Sequence, residues 1–238
     1  MSLYKDEAVV LRGMRLGEAD RIVTFIGKAS GKIRGVAKGI RKTKSRFGGR
    51  LEPFSHVSLV MWRGRGDLDT VTQVEVIQPF RKIREDLDRF AMGEVMLEAM
   101  DRVVQERERT PGIFNLLIAS LDGLSKTGSP LTLASFLLRL SGIAGFAPVL
   151  KVCAECAEPA AWFSPLQGGA ICFRHRDADA EEVGPATLEL MADLISEGAW
   201  MDVDPKRAAT VSRLARFYTE YHLERRLRAA AAADRILA

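Results

Sequence analysis

The chain has 238 residues, of which 47% are hydrophobic, 28% charged and 7% aromatic, with 20 Gly and 9 Pro. This is ordinary globular usage, long enough for one large or two small cores, and it excludes disordered and collagen-like classes. The net charge of +4 hides an asymmetry: residues 1–80 hold 15 Lys+Arg against 8 Asp+Glu, while residues 81–238 hold 20 against 23.

The first residues, Met1-Ser2-Leu3-Tyr4-Lys5-Asp6-Glu7, lack a basic and apolar leader. Apolar stretches such as Phe114 to Leu121 fall well short of the roughly 20 residues of a membrane span. A cytoplasmic protein with no membrane partner is expected, and the three cysteines, odd in number, argue against a disulfide framework.

Up to about residue 80 the apolar residues alternate or fall in short runs, predicting five strands over 7–12, 21–27, 32–38, 56–62 and 70–77. Gly13 and Gly17 punctuate the first two strands, Ser30-Gly31 suits a tight turn, and Gly64-Arg65-Gly66-Asp67 suits a hairpin. A helical turn within 45–54, stopped by Pro53, would separate strands three and four. That order matches a five-stranded OB-type barrel, with a small SH3-like barrel as the alternative. Phe25 and Phe47 sit in apolar company and are assigned to its core. From Arg21 to Arg50 there are ten basic residues and no acidic one. Such a field favours a polyanion, the alternative being a solvated face whose compensating acids lie elsewhere in the fold.

After Pro79 the apolar residues recur at helical spacing from Ile83 to Val104. Further helices are expected over 113–124, 131–143, 186–196 and 206–227, with the alanine run 229–233 as a terminal helix. The expectation is an α+β, multi-domain chain. Residues 1–80 form the OB-fold nucleic-acid-binding domain and 81–238 a helical domain, with 149–178 as a zinc-finger-like insert.

That insert rests on Cys153, Cys156, Cys172 and His175, spaced C-x2-C-x15-C-x2-H. Two chelating pairs on a chain that folds back suit a tetrahedral, structural zinc ion, and four protein ligands leave no position open for catalysis. The bland alternative is three buried thiols and a surface histidine. Gly168-Gly169 allows the return, and 160–163 supplies a short strand. His56 and His222 are isolated, and ordinary surface or helix roles are expected for them.

Enzyme signatures fail in turn. Gly27-Lys28-Ala29-Ser30-Gly31-Lys32-Ile33 is one residue short of a phosphate loop and ends in Ile where magnesium binding needs Ser or Thr. There is no G-x-S-x-G elbow, no G-x-G-x-x-G, and no cysteine outside the cluster to act as a nucleophile. Acid groups such as Asp67 with Asp69, or Glu85, Asp86 and Asp88, suit caps and solvated faces better than a nuclease centre. No catalytic residue is expected.

Gly17-Glu18-Ala19-Asp20-Arg21-Ile22-Val23-Thr24, then Gly35-Val36-Ala37-Lys38-Gly39, Lys44-Ser45-Arg46-Phe47 and Leu51-Glu52-Pro53-Phe54, resemble the N-terminal domain of the bacterial RecO recombination mediators. Gly145-Phe146-Ala147-Pro148 leading to Cys153 resembles that family's entry to its zinc site, where His175 stands at a position that is often cysteine, and 218–223 resembles its last helix. The resemblance implies a non-catalytic, nucleoid-associated protein of DNA repair and recombination in a RecFOR-type pathway. It would bind single- and double-stranded DNA, anneal complementary strands and help load recombinase onto strands coated with single-strand-binding protein. Its expected partners are RecR, that coating protein and, indirectly, RecF and RecA. The phosphate role falls to Arg34, Lys38, Arg41, Lys42, Lys44, Arg46 and Arg50, with Arg63 and Arg65 as a second group. Trp62 is offered equally to base stacking and to the core. The competing reading is a basic OB-fold and zinc RNA-binding module of transcription or translation.

Overall fold

The computed structural model describes residues 2–110, 112–198 and 202–230, so most of the alanine run at 229–233 lies outside the described residues. Five strands close into a barrel in the order β1-β2-β3-β5-β4: β1 (Leu3–Leu16), β2 (Asp20–Gly27), β3 (Gly31–Ala37), β4 (His56–Trp62) and β5 (Leu68–Gln78). All neighbours are antiparallel except β3 and β5, which run parallel over three residue pairs, Arg34–Leu68 to Val36–Thr70. A 3-10 turn (Gly48–Leu51) falls between β3 and β4, as the sequence predicts.

Alternation fills the barrel. Along β3, Gly31, Ile33, Gly35 and Ala37 are buried while Lys32, Arg34 and Val36 turn outward. The interior holds Val10, Phe25, Phe47, Leu59, Met61 and Val71, so both phenylalanines are core residues as expected. β1 is longer than the pattern suggests. Past Leu11 it runs on with β2 as a hairpin whose β1 residues, Arg12 to Leu16, are exposed on both faces, and Gly13 lies inside the strand with only Gly17 (φ +57) in the turn. With no inside for those residues to face, there is no alternation to read.

The motif at 27–33 is a hairpin turn. The Asp6 carboxylate accepts from the amides of Ala29 (3.0 Å) and Ser30 (2.9 Å), occupying the donors that a phosphate would need.

Among the described residues six helices follow: α1 (Arg81–Glu85), α2 (Leu87–Val103), α3 (Ile113–Thr127), α4 (Pro130–Ile143), α5 (Pro185–Ser196) and α6 (Pro205–His222). The single helix expected from Ile83 to Val104 is broken at Asp86, an extended residue whose carboxylate caps α2 by accepting from the Arg89 amide at 2.9 Å. α6 stops at His222 rather than 227, with Glu224 at φ +52. α4 is buried nearly all round and forms the centre of the helical core, where Ser141 and Thr219 of α6 meet hydroxyl to hydroxyl at 3.2 Å.

The barrel and helices share that core: Val9, Leu11, Ile26 and Phe54 point outward from the barrel into it. A second tie is the segment after α2. Glu106 bridges to Lys32 in parallel, the Arg107 amide donates to the Lys32 carbonyl at 2.8 Å, and the Arg107 guanidinium reaches Asp69 (3.2 Å) and the Gly66 carbonyl (3.3 Å). This strap fills the seam where β3 has not yet met β5. Gly31, at φ +66, admits it, since a Cβ there would be driven into the Glu108 carbonyl.

Between α4 and α5 lies a three-stranded knuckle in the order β7-β6-β8, built from β6 (Trp162–Ser164), β7 (Gly169–Ile171) and β8 (Glu181–Glu182). Gly169 (φ +137) presses on the backbone of Val149, which pairs with it in a parallel bridge. Among the described residues no helix is long and apolar enough to cross a membrane.

Candidate nucleic-acid interface and metal centre

The face most often used by OB barrels, the outer side of β2 and β3, is largely covered here. Ile26 is in the helical core. The Lys32 ammonium donates to the Asp101 carbonyl at 2.5 Å and pairs with its carboxylate at 3.5 Å, and Arg34 pairs with Glu106 at 2.9 Å. Arg34, expected on phosphates, is thus held by the strap.

Lys38, Arg41, Lys42, Lys44, Arg46 and Arg50 are all exposed on the connection leaving the end of β3. None of the six is ion-paired among the described residues. This connection has its own scaffold. The Asp20 carboxylate accepts from the Gly39 amide at 2.7 Å, the Arg41 amide donates to the Ala19 carbonyl at 3.0 Å, and the Arg41 guanidinium donates to the Glu18 carbonyl at 2.9 Å. Arg41 therefore shapes the loop as well as charging it. Arg46 lies over the Phe47 ring at 4.9 Å, and Arg50 donates to the Arg46 carbonyl at 2.7 Å.

Arg63, Arg65 and Trp62 form a separate group. Because β3 and β5 are parallel with Arg34 opposite Leu68, the β4–β5 turn lies at the start of β3 and the 38–50 loop at its far end. Trp62, opposite Leu3 and 39% exposed, is not a core residue. The Arg63 guanidinium lies 5.1 Å from the Tyr4 ring. Tyr4 donates to Asp69 at 2.6 Å, and its own burial followed by that carboxylate pushes its pKa up. Asp69 is fully buried. Burial raises its pKa, but Tyr4, the Gly64 amide (3.0 Å) and Arg107 together outweigh that and hold it below the usual carboxylate value. Arg107 is the contributor that sequence reasoning misses, because Gln105-Glu106-Arg107-Glu108-Arg109 holds no apolar residue to mark a buried face.

His56 departs from expectation. It is on β4, only 7% exposed, 2.8 Å from the Glu7 carboxylate and edge-on to Phe114 of α3. It belongs to the junction of barrel and helices rather than to the surface. His222 ends α6 and stacks on Phe146 at 5.1 Å.

The candidate metal ligands assemble as the spacing requires. Ligand atoms of Cys153, Cys156, Cys172 and His175 all lie within 4.8 Å of one another, with the His175 Nδ1 3.4 Å from Cys172 Sγ and 3.8 Å from Cys153 Sγ. Two tight turns present the pairs: Ala157, at φ +59, donates to the Cys153 carbonyl (2.9 Å), and the His175 amide donates to the Cys172 carbonyl (3.2 Å). Burial raises the Cys153 thiol pKa, but backbone amides of Cys172, Glu155 and Cys156, with His175, outweigh it and bring the thiol down to about 6. At Cys156 the Glu158 amide favours the thiolate, yet burial and the sulfurs of Cys153 and Cys172 overcome it and push the pKa up. Burial also raises the Cys172 thiol, but the His175 and Arg174 amides with the His175 ring outweigh it, so two sulfurs favour the anion while crowding resists the third, a balance that a divalent cation resolves. Three thiolates and an imidazole in this arrangement fit zinc.

Residues 1–80 match the family described as Recombination protein O N terminal, and residues 84–231 that described as Recombination protein O C terminal. A DNA repair protein RecO from Nocardioides sp. (strain ATCC BAA-499 / JS614) is 44% identical over 246 residues, covering 98% of this chain and 100% of that protein. Another from Bifidobacterium longum (strain DJO10A) is 40% identical over 238 residues, covering 96% and 97%. A basic five-stranded barrel, a helical region with a Cys3His knuckle and these end-to-end matches lead to one conclusion: the chain belongs to the RecO family of DNA repair and recombination proteins.

Proposed function

We propose that this chain is a non-catalytic recombination mediator that binds single- and double-stranded DNA, anneals complementary strands, and acts with RecR to load recombinase onto strands coated with single-strand-binding protein. The observation that carries this reading is the 38–50 connection, with six exposed basic residues free of ion pairs among the described residues. Lys38, Lys42, Lys44, Arg46 and Arg50 take the phosphates, and Arg41 holds the loop in shape. Arg63, Arg65 and Trp62 extend the track at the other end of β3. Arg34 contributes least, because a phosphate would have to displace Glu106.

Annealing needs no fuel under this reading. A cationic loop lowers the repulsion between two phosphate backbones and raises their local concentration. Zinc on Cys153, Cys156, Cys172 and His175 supplies folding free energy to the knuckle rather than reaction chemistry.

The test is the annealing rate of complementary strands precoated with single-strand-binding protein, measured without nucleotide and with structured RNA as competitor. Acceleration that RNA does not suppress supports the proposal. No acceleration overturns the annealing role, and tighter binding to the RNA favours an RNA-binding module.

A further inference from the structure

The knuckle carries a feature that neither its metal nor the barrel explains. Phe173 is 66% exposed, more than any other aromatic among the described residues, and it sits between two metal ligands, Cys172 and His175. An isolated exposed phenylalanine is unremarkable by composition alone, but this one has organised company. The Arg176 guanidinium lies 3.9 Å from the Phe173 ring centroid and 4.7 Å from that of Trp162 on β6. Arg174 and Arg176 are exposed, and among the described residues neither is ion-paired. Of the nearby acids, Glu155 lies within the first ligand pair and Glu158 two residues after it, and Asp177 is occupied in accepting from the Ser164 hydroxyl and the Asp179 amide.

We infer that the Phe173 turn is a second single-stranded DNA contact, on which a nucleobase stacks on the Phe173 ring while Arg174 and Arg176 meet the flanking phosphates. This rests on the DNA-binding reading above. Stacking on an aromatic beside a cation is the sequence-tolerant way to hold a single strand, and a paired base inside a duplex does not offer its face. With the ion bound, Cys172 and His175 fix the backbone on either side of Phe173, so ordering the ring costs little on binding. Charge complementarity selects this occupant, since Arg174 and Arg176, neither ion-paired among the described residues, stand beside an exposed ring and suit an anionic polymer with flat apolar groups.

The experiment uses the full-length, zinc-loaded protein, with fluorescence anisotropy on a thymidine oligonucleotide and on a blunt duplex. Zinc content is measured in every variant. Phe173→Ala is expected to weaken single-strand binding about tenfold, within the range for loss of one stacked base, and to leave duplex affinity and zinc content unchanged. Phe173→Trp restores binding, with its fluorescence quenched by the oligonucleotide. Unchanged single-strand affinity in Phe173→Ala, equal losses for both DNA forms, or an unquenched Phe173→Trp would overturn this inference alone, the barrel reading standing. A wild-type protein that binds neither DNA would overturn both.

Discussion

The barrel and the knuckle are both small β structures, yet they are held by opposite means. In the barrel, strands of 7 to 14 residues turn alternate side chains inward, and Phe25, Phe47, Leu59 and Met61 fill the space they enclose. The knuckle has strands of two or three residues, too short to enclose anything, and buries little beyond Leu150, Cys153, Phe163, Ser164, Ala170 and Ile171, of which Leu150, Phe163 and Ala170 rest on the helical core rather than on one of its own. A structure that size lacks the apolar area to offset the entropy of ordering its chain. The contrast teaches that the same chain uses the hydrophobic effect where it has length and gathers a Cys3His set suited to a metal ion where it has not.

The sharpest way to break that contrast is to remove the metal. Structural zinc contributes on the order of 10 kcal/mol to small zinc folds, so chelation, or Cys153→Ser with Cys156→Ser, is expected to open 149–178 to protease while the barrel stays resistant. A proteolytic pattern unchanged by chelation would show that the knuckle needs no ion. The converse holds for the barrel. Phe47→Ala should lower its stability by about 3–5 kcal/mol through the cavity left behind, read as a fall in Tm with zinc still bound.

The basic loop separates charge from stability. Lys42→Glu with Lys44→Glu should weaken single-strand binding and reduce the steepness of its salt dependence by about 0.7 per lost phosphate contact. Stability should move by no more than about 0.5 kcal/mol per substitution, as for exposed sites. An unchanged salt slope would remove these lysines from the interface.

The smallest effect lies in the acid limb. The pKa of Asp69 is held below 3.8 by Tyr4, Gly64 and Arg107 in spite of its burial. A depressed folded value means that its contribution is complete above the unfolded value and is lost as pH falls through the folded one. Asp69→Asn should therefore flatten the acid end of the stability profile followed by circular dichroism, and an unaltered acid midpoint would contradict this.

Particular residues show why some of this was legible in the sequence and some was not. The barrel strands could be read because each has an inside, and the metal site because chelation by x2 pairs leaves a fixed spacing. The break at Asp86 was hidden by apolar residues that continue in helical register across it, although Leu87 proves to be 71% exposed and belongs to no buried stripe. His56 was misjudged because burial by α3 depends on a helix more than fifty residues away in the chain. The basic loop was legible as charge, whereas the division of Arg34 from its neighbours depends on where Glu106 returns.

The strap that seals β3 also sets an order of events during synthesis. Residues 105–108 follow the end of β5 by nearly thirty residues, on the order of 1–5 s at ordinary rates of translation. Through that interval the start of β3 is an open edge, a template on which another nascent chain could pair. Lys32 lies on this open stretch and Arg34 is the first residue paired to β5, and until Asp101 and Glu106 arrive both carry unneutralised positive charge, which disfavours pairing with a like-charged strand. The same two charges that stand unpaired beside the edge in the newborn chain clasp it shut in the finished one.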